Sequence, residues 1–158
     1  MKKSTLIIIL LTTAIIISIL RTYVFPPQHN SAGLSIILSK DDTKILSDND
    51  IGSYNISSHE LTLTEKCADR LKKMKEPLTG DFIITIDGEE VLCGIFVPPV
   101  VSRSYPSTEV VIVYPSFQSD YQTMKIQMGY PWDEPKEYDP RNDNMMMYYF
   151  DQLGKLTQ

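Results

Sequence analysis

The feature that most constrains this chain is a run without a single charge from Ser4 to Leu20. Its core, Leu6-Ile7-Ile8-Ile9-Leu10-Leu11 followed by Ala14-Ile15-Ile16-Ile17, is apolar on every face of a helix. A helix apolar all round is buried in protein or in lipid. Extended through Phe25, with Arg21 snorkelling to the headgroups, it reaches about 20 residues, enough to cross ~30 Å of hydrocarbon. Residues 1–25 therefore read as a signal anchor, a single transmembrane helix. The competing reading is a cleaved secretory signal with Lys2-Lys3 as its n-region. That reading needs small residues at the cleavage site, and this run continues instead into Leu20-Arg21-Thr22-Tyr23-Val24-Phe25-Pro26-Pro27. With Lys2 and Lys3 before the helix and Arg21 alone after it, the positive-inside bias puts the bulk of the chain outside the cytoplasm. The expected location is the cell membrane, single-pass, with lipid contacted through residues 4–25.

Residues 26–33, Pro26-Pro27-Gln28-His29-Asn30-Ser31-Ala32-Gly33, read as a stiff start followed by a flexible linker. The remainder, 34–156, is long enough for one domain. The net charge of −5 over 158 residues comprises +3 from the first 30 residues and −8 from the rest. A domain so acidic is not expected to bind nucleic acid, because phosphate recognition requires clustered Lys and Arg.

Within that domain, Leu34-Ser35-Ile36-Ile37-Leu38-Ser39 is a β-branched run ending at the turn former Asp41-Asp42. Around Ile45 to Gly52 turn formers dominate, and a loop with a short strand is expected. His59-Glu60-Leu61-Thr62-Leu63 alternates as a half-buried strand does, and Thr62-Leu63-Thr64-Glu65 has capping-box spacing. The helix that follows places Cys67, Ala68, Leu71 and Met74 on one stripe, until Pro77 and Gly80 end it. Phe82-Ile83-Ile84-Thr85-Ile86 and Val91-Leu92-Cys93-Gly94-Ile95-Phe96-Val97 flank Asp87-Gly88, a pair suited to a tight hairpin turn. Both strands are apolar on both faces, which predicts a central position with the helix covering at least one side. Glu109-Val110-Val111-Ile112-Val113-Tyr114 is a further strand, closed by Pro115. Met124, Ile126 and Met128 alternate inside a polar segment. Residues 131–140 look irregular, and 142–156 predict a last helix with Met146, Tyr149, Phe150 and Leu153 on its apolar side.

From Leu61 to Ser102, about a quarter of the chain, the sequence resembles the first periplasmic head domain of the SecD subunit of the protein-export machinery and small membrane-anchored relatives of that head. The matching residues are Leu63-Thr64-Glu65, the stripe through Leu71, Gly80 with Phe82-Ile83-Ile84, Ile86-Asp87-Gly88-Glu89, and Val91, Gly94 and Phe96 leading into Val101-Ser102. The resemblance implies an α+β fold, a ferredoxin-like or related antiparallel sheet with one or two packed helices. It also implies no enzyme activity and a role in contacting polypeptide outside the membrane. The six-helix translocation core of SecD has no counterpart here, so translocase function is not implied.

Candidate chemistry is sparse. Cys67 and Cys93 are the only cysteines, and an outward location permits a disulfide. If the helix packs on the hairpin the two thiols face each other; otherwise they are two separate buried thiols. His29 and His59 read as solvated imidazoles. Asp41-Asp42, Asp48-Asn49-Asp50 and the acids from Asp133 to Asp143 read as turns and solvated faces rather than calcium ligands, since the EF-hand spacing fails. No residue stands out as catalytic, and no cofactor or metal is called for. Met145-Met146-Met147-Tyr148-Tyr149-Phe150 cannot all bind one ion, because consecutive helical residues point in different directions. Its exposed members, Met145 and Tyr148, grouped with Trp132, Tyr130 and Tyr138, are the expected partner surface. The expected function is non-enzymatic binding or scaffolding of another envelope protein or peptide. An extracytoplasmic hydrolase or transferase acting on envelope material is the alternative.

Overall fold

Short apolar runs punctuated by Asp, Asn and Gly become strands in the structure, a computed structural model that describes residues 33–115, 120–134 and 138–158. The expected anchor at 1–25 and the linker as far as residue 32 lie outside the described residues. Among the described residues no helix is long and apolar enough to cross a membrane. In chain order the elements are β1 (Leu34–Leu38), β2 (Thr43–Ser47), a 3-10 turn (Asp48–Asp50), β3 (Ile51–Asn55), β4 (Glu60–Leu63), α1 (Glu65–Lys72), β5 (Gly80–Ile86) and β6 (Glu89–Val97). After these come β7 (Tyr105–Val113), β8 (Thr123–Tyr130), a second 3-10 turn (Pro140–Asn142), α2 (Asn144–Gln152) and β9 (Leu156–Thr157). The fold is mixed α+β, as expected. Its element order departs from the β-α-β-β-α-β order of a ferredoxin-like domain.

The strands form one sheet in the order β2-β1-β5-β6-β7-β8-β4-β3-β9. Among the described residues, only β6–β7 and β3–β9 run parallel. In a flat sheet β2 and β3 would stand seven strand spacings apart, ~34 Å at ~4.8 Å each. They are joined by Asp48–Asp50 alone, and three residues reach only ~10 Å. The sheet must therefore coil until its edges nearly meet. Side chains bridge the seam: Lys155 Nζ donates to the carbonyls of Asp48 at 2.6 Å and Ile51 at 2.7 Å, and Tyr149 Oη donates to Asp48 Oδ2 at 2.8 Å.

The concave face holds the main core. Ile36, Phe82, Ile84, Phe96, Ile112 and Ile126 of the strands pack there with Cys67 and Leu71 of α1 and Met146 and Phe150 of α2. Thr64 caps α1 by accepting from Cys67 N. The helix stops at Lys72, short of Met74, which is 43% exposed. After Lys72 the chain reads Lys73-Met74-Lys75-Glu76-Pro77; Pro77 disfavours helical geometry at Glu76, and Leu78 supplies the next core contact. In α2 the stripe stops at Phe150, and Leu153 is exposed because Gly154, at φ +65°, turns the chain toward β9. Asp87 and Gly88 both have positive φ, so β5 and β6 form the tight hairpin expected. That hairpin is central in the sheet, but its apolar residues divide: Phe82, Ile84, Leu92 and Phe96 enter the core, while Ile83, Cys93 and Ile95 point to the convex face and stay partly or wholly open to solvent.

Candidate functional site

On the convex face, strand alternation puts Ile95 and Val97 of β6 beside Val111 and Val113 of β7, where they form a small second cluster with Tyr130. The β6–β7 ladder covers only Ile95–Val97 against Val111–Val113. Below it the strands separate. Between Tyr105 and Val110, β7 carries three more residues than its partner β8 uses between Tyr130 and Met128, so it bulges. Gly129, at φ +81°, lacks the side chain that would collide with this bulge: a Cβ there would stand 3.0 Å from the Tyr105 oxygen and 3.1 Å from Ser107. The first half of β7 is drawn over β8 in this way and leaves β6.

A slot of about 620 Å³ results, within the range of specific ligand sites. Ile83, Cys93 and Ile95 give it an apolar floor, and Asp81, Glu90, Thr108 and Glu109 surround it. Among the described residues, every charged residue of its lining is an acid. At its closed end Gly94 is obligatory, because a Cβ would clash with the Val110 carbonyl oxygen and lie 2.7 Å from the Phe82 ring.

A second constellation is polar and largely buried. Arg141, 1% exposed, donates to Asp133, Asp139 and the Ile126 carbonyl. His59 Nδ1 lies 2.9 Å from Tyr54 Oη, and its Nε2 lies 3.8 Å from Asp139 Oδ2. Hydroxyl, imidazole and carboxylate in sequence resemble a nucleophile with its base and orienter. However, Tyr54 is fully buried, and burial pushes its phenol above the usual range, contrary to what a nucleophile needs. Burial also pushes His59 down, with Arg141 adding to the effect and Asp139 opposing it. Asp139 is held below the ordinary carboxylate range by Arg141. At Asp133 burial pulls upward, and the Met128 N–H and Arg141 outweigh it. This network holds Asp133 and the Asp139–Arg141 stretch against β3, β4 and β8.

Several expectations are corrected. Cys67 and Cys93 are both free, one buried on α1 and the other exposed on the convex face, so the helix packs on the side of the hairpin away from Cys93. His59 is a buried network member rather than a solvated imidazole. Asp133 and Asp139 are ion-pair partners rather than solvated acids, and among the described residues no group of His, Cys, Asp and Glu could hold a metal. Of the expected partner surface, Trp132, Tyr138, Met145 and Tyr148 are exposed, and Met145 and Tyr148 share one side of α2. Tyr130 does not join them. The Gly129 backbone breaks the alternation of Met124, Ile126 and Met128 and turns Tyr130 into the convex cluster, where its hydroxyl donates to the Pro99 carbonyl at 3.2 Å. No ring contact among the described residues joins Trp132, Tyr138 and Tyr148.

The slot escaped sequence reading, although Gly94 inside an apolar strand was a signal for close backbone approach. No family model, no curated protein and no solved structure matches this chain.

Proposed function

We propose that this chain is a single-pass, membrane-anchored extracytoplasmic protein of non-enzymatic binding type, which contacts another envelope protein or a peptide. The observation that carries the reading is the convex slot, an open concavity with an apolar floor on a rigid sheet. The charge-free run from Ser4 to Leu20 supports an anchor. Full burial of the Tyr54 phenol in the Tyr54–His59–Asp139 grouping supports a binder over a hydrolase, since the only hydroxyl of that grouping is withdrawn from solvent. The resemblance to the SecD head over residues 61–102 falls on β4, α1 and the β5–β6 hairpin, the hairpin whose outer side forms the slot floor. The exposed side of α2 that carries Met145 and Tyr148, together with Trp132 and Tyr138, is a second surface available to a partner.

Two measurements test this. Carbonate washing of membranes should leave the chain in the pellet, and release into the wash would refute the anchor. A photo-crosslinker attached to Cys93 in intact membranes should join the chain to one discrete polypeptide, and Ile83→Asp with Ile95→Asp should abolish the adduct. Absence of any adduct, or an adduct indifferent to those substitutions, would refute the slot as the binding site.

A further inference from the structure

The slot has a chemical feature beyond its shape. From Glu89 to Gly94, the backbone of β6 on the side of β7 has no ladder partner among the described residues, because the β6–β7 ladder begins only at Ile95. A strand edge inside a sheet thus lies open for about six residues. Unpaired edge groups are a template for a further strand, and main-chain bonding of that kind supplies affinity while alternate side chains supply selectivity.

We propose that an extended peptide segment of a partner enters this slot and adds a strand to β6, setting apolar side chains on Ile83 and Ile95 and a Lys or Arg side chain between Glu90 and Glu109. The proposal rests on the binding reading above and names the partner's chemistry. Charge complementarity fixes the cationic preference, since among the described residues Asp81, Glu90 and Glu109 carry the only charges lining the slot. The same acids repel an anionic lipid surface. Volume fits as well, because about 620 Å³ admits a short segment and no folded element. Gly94 sets the inner limit, since Val110 closes on it.

The test uses the full-length chain in detergent micelles and follows alkylation of Cys93 by N-ethylmaleimide, with hydrogen exchange of those amides from 89 to 94 that the β5 ladder leaves unbonded as a second readout. The probe, called the Val-Lys peptide, is a capped peptide with Val and Lys taking turns at every second position and Ser between them, because Glu90 pairs with Thr85 and so shares the face of Ile83 and Ile95. The Val-Glu peptide has Glu in place of Lys. At ten times its Kd it should slow alkylation about tenfold and slow exchange at those amides. A Val-Glu peptide should do neither, and the Val-Lys peptide N-methylated on alternate amides should lose both effects. Glu90→Lys with Glu109→Lys, both surface changes, should reverse the preference to Val-Glu. Equal protection by the N-methylated peptide would overturn strand addition, and equal protection by the Val-Glu peptide in the unaltered chain would overturn the cationic preference. Protection by phosphatidylglycerol vesicles but not by the Val-Lys peptide would assign the face to lipid and overturn the proposal. If that peptide fails while Cys93 still crosslinks to a polypeptide in membranes, strand addition falls and the binding reading stands. If both fail, both fall.

Discussion

Arg141 Nη2 donates to Asp139 Oδ2 at 2.6 Å, while Nη1 of the same guanidinium, buried to 1% exposure, reaches Asp133 Oδ1 at 2.9 Å. Arginine's planar fork suits this double engagement, which pins the segment after β8 to the sheet. Removing the cation takes the guanidinium from Asp139, Asp133 and the Ile126 carbonyl, leaving Asp139 only the backbone N–H of residue 141 and the His59 ring, and Asp133 only the Met128 N–H and Lys125. Arg141→Met should therefore cost about 3–5 kcal/mol. Urea unfolding at neutral pH checks it, and a loss under about 1 kcal/mol would show that the cluster relaxes into water.

The same network makes stability pH-dependent in two separate windows. The folded chain resists protonation of His59, whose ordinary pKa is 6.5, because the ring is buried beside Arg141. The unfolded chain binds that proton more readily, so this contribution is complete above about pH 6.5 and declines as pH falls below it. Asp133 and Asp139 are held below their ordinary 3.8, so their contribution persists to about pH 4 and is lost in stronger acid. His59→Asn tolerates the positive φ of 55° at this position. It should flatten the first decline and leave the second, as read from thermal midpoints across pH.

Nδ1 of His59 and the Tyr54 hydroxyl share a hydrogen bond of 2.9 Å, and the same hydroxyl donates to the Arg141 carbonyl at 3.4 Å. In protonated His59 Nδ1–H can only donate, so the Tyr54 oxygen must be its acceptor and the Tyr54 proton must stay on the Arg141 carbonyl. Tyr54→Phe should thus deprive the charged imidazole of an acceptor and steepen the decline below pH 6.5. An unchanged slope would remove Tyr54 from the linkage.

At the closed end of the slot, Gly94→Ala has no space for its methyl between the Val110 carbonyl and the Phe82 ring. Overpacking should cost about 1–3 kcal/mol, while Thr108→Ala, an exposed change on the opposite wall, should stay within about 0.5 kcal/mol. Chemical denaturation of the two variants side by side decides the point.

Thiol counting separates the two cysteines. Cys93 is exposed and should react in the folded chain, whereas Cys67 is fully buried under α1 and should react only in urea. An intramolecular disulfide detected in chain isolated without reductant would contradict this arrangement.

Local signals in the sequence were enough for α1, for the Asp87-Gly88 hairpin and for β1, because capping, turn chemistry and apolar periodicity each act over a few residues. β3 was obscured because Gly52 and Ser53 interrupt its pattern, and pairing with β4 and β9 overrides that weak propensity. β8 showed only as Met124, Ile126 and Met128 in a polar context, yet those three are core residues. The disposition of Tyr130, His59 and the acids around Arg141 depended on partners distant in the chain. So did the slot, which exists because a bulge in β7 meets a bare Gly129 on another strand. Alone, then, the sequence determined the charge-free run, the acidity of the remainder and the mixed α+β character, all of which follow from composition and short-range spacing. The tertiary structure decided which apolar residues stay outside and which charges go inside, because burial and backbone pairing are properties of the coiled sheet as a whole.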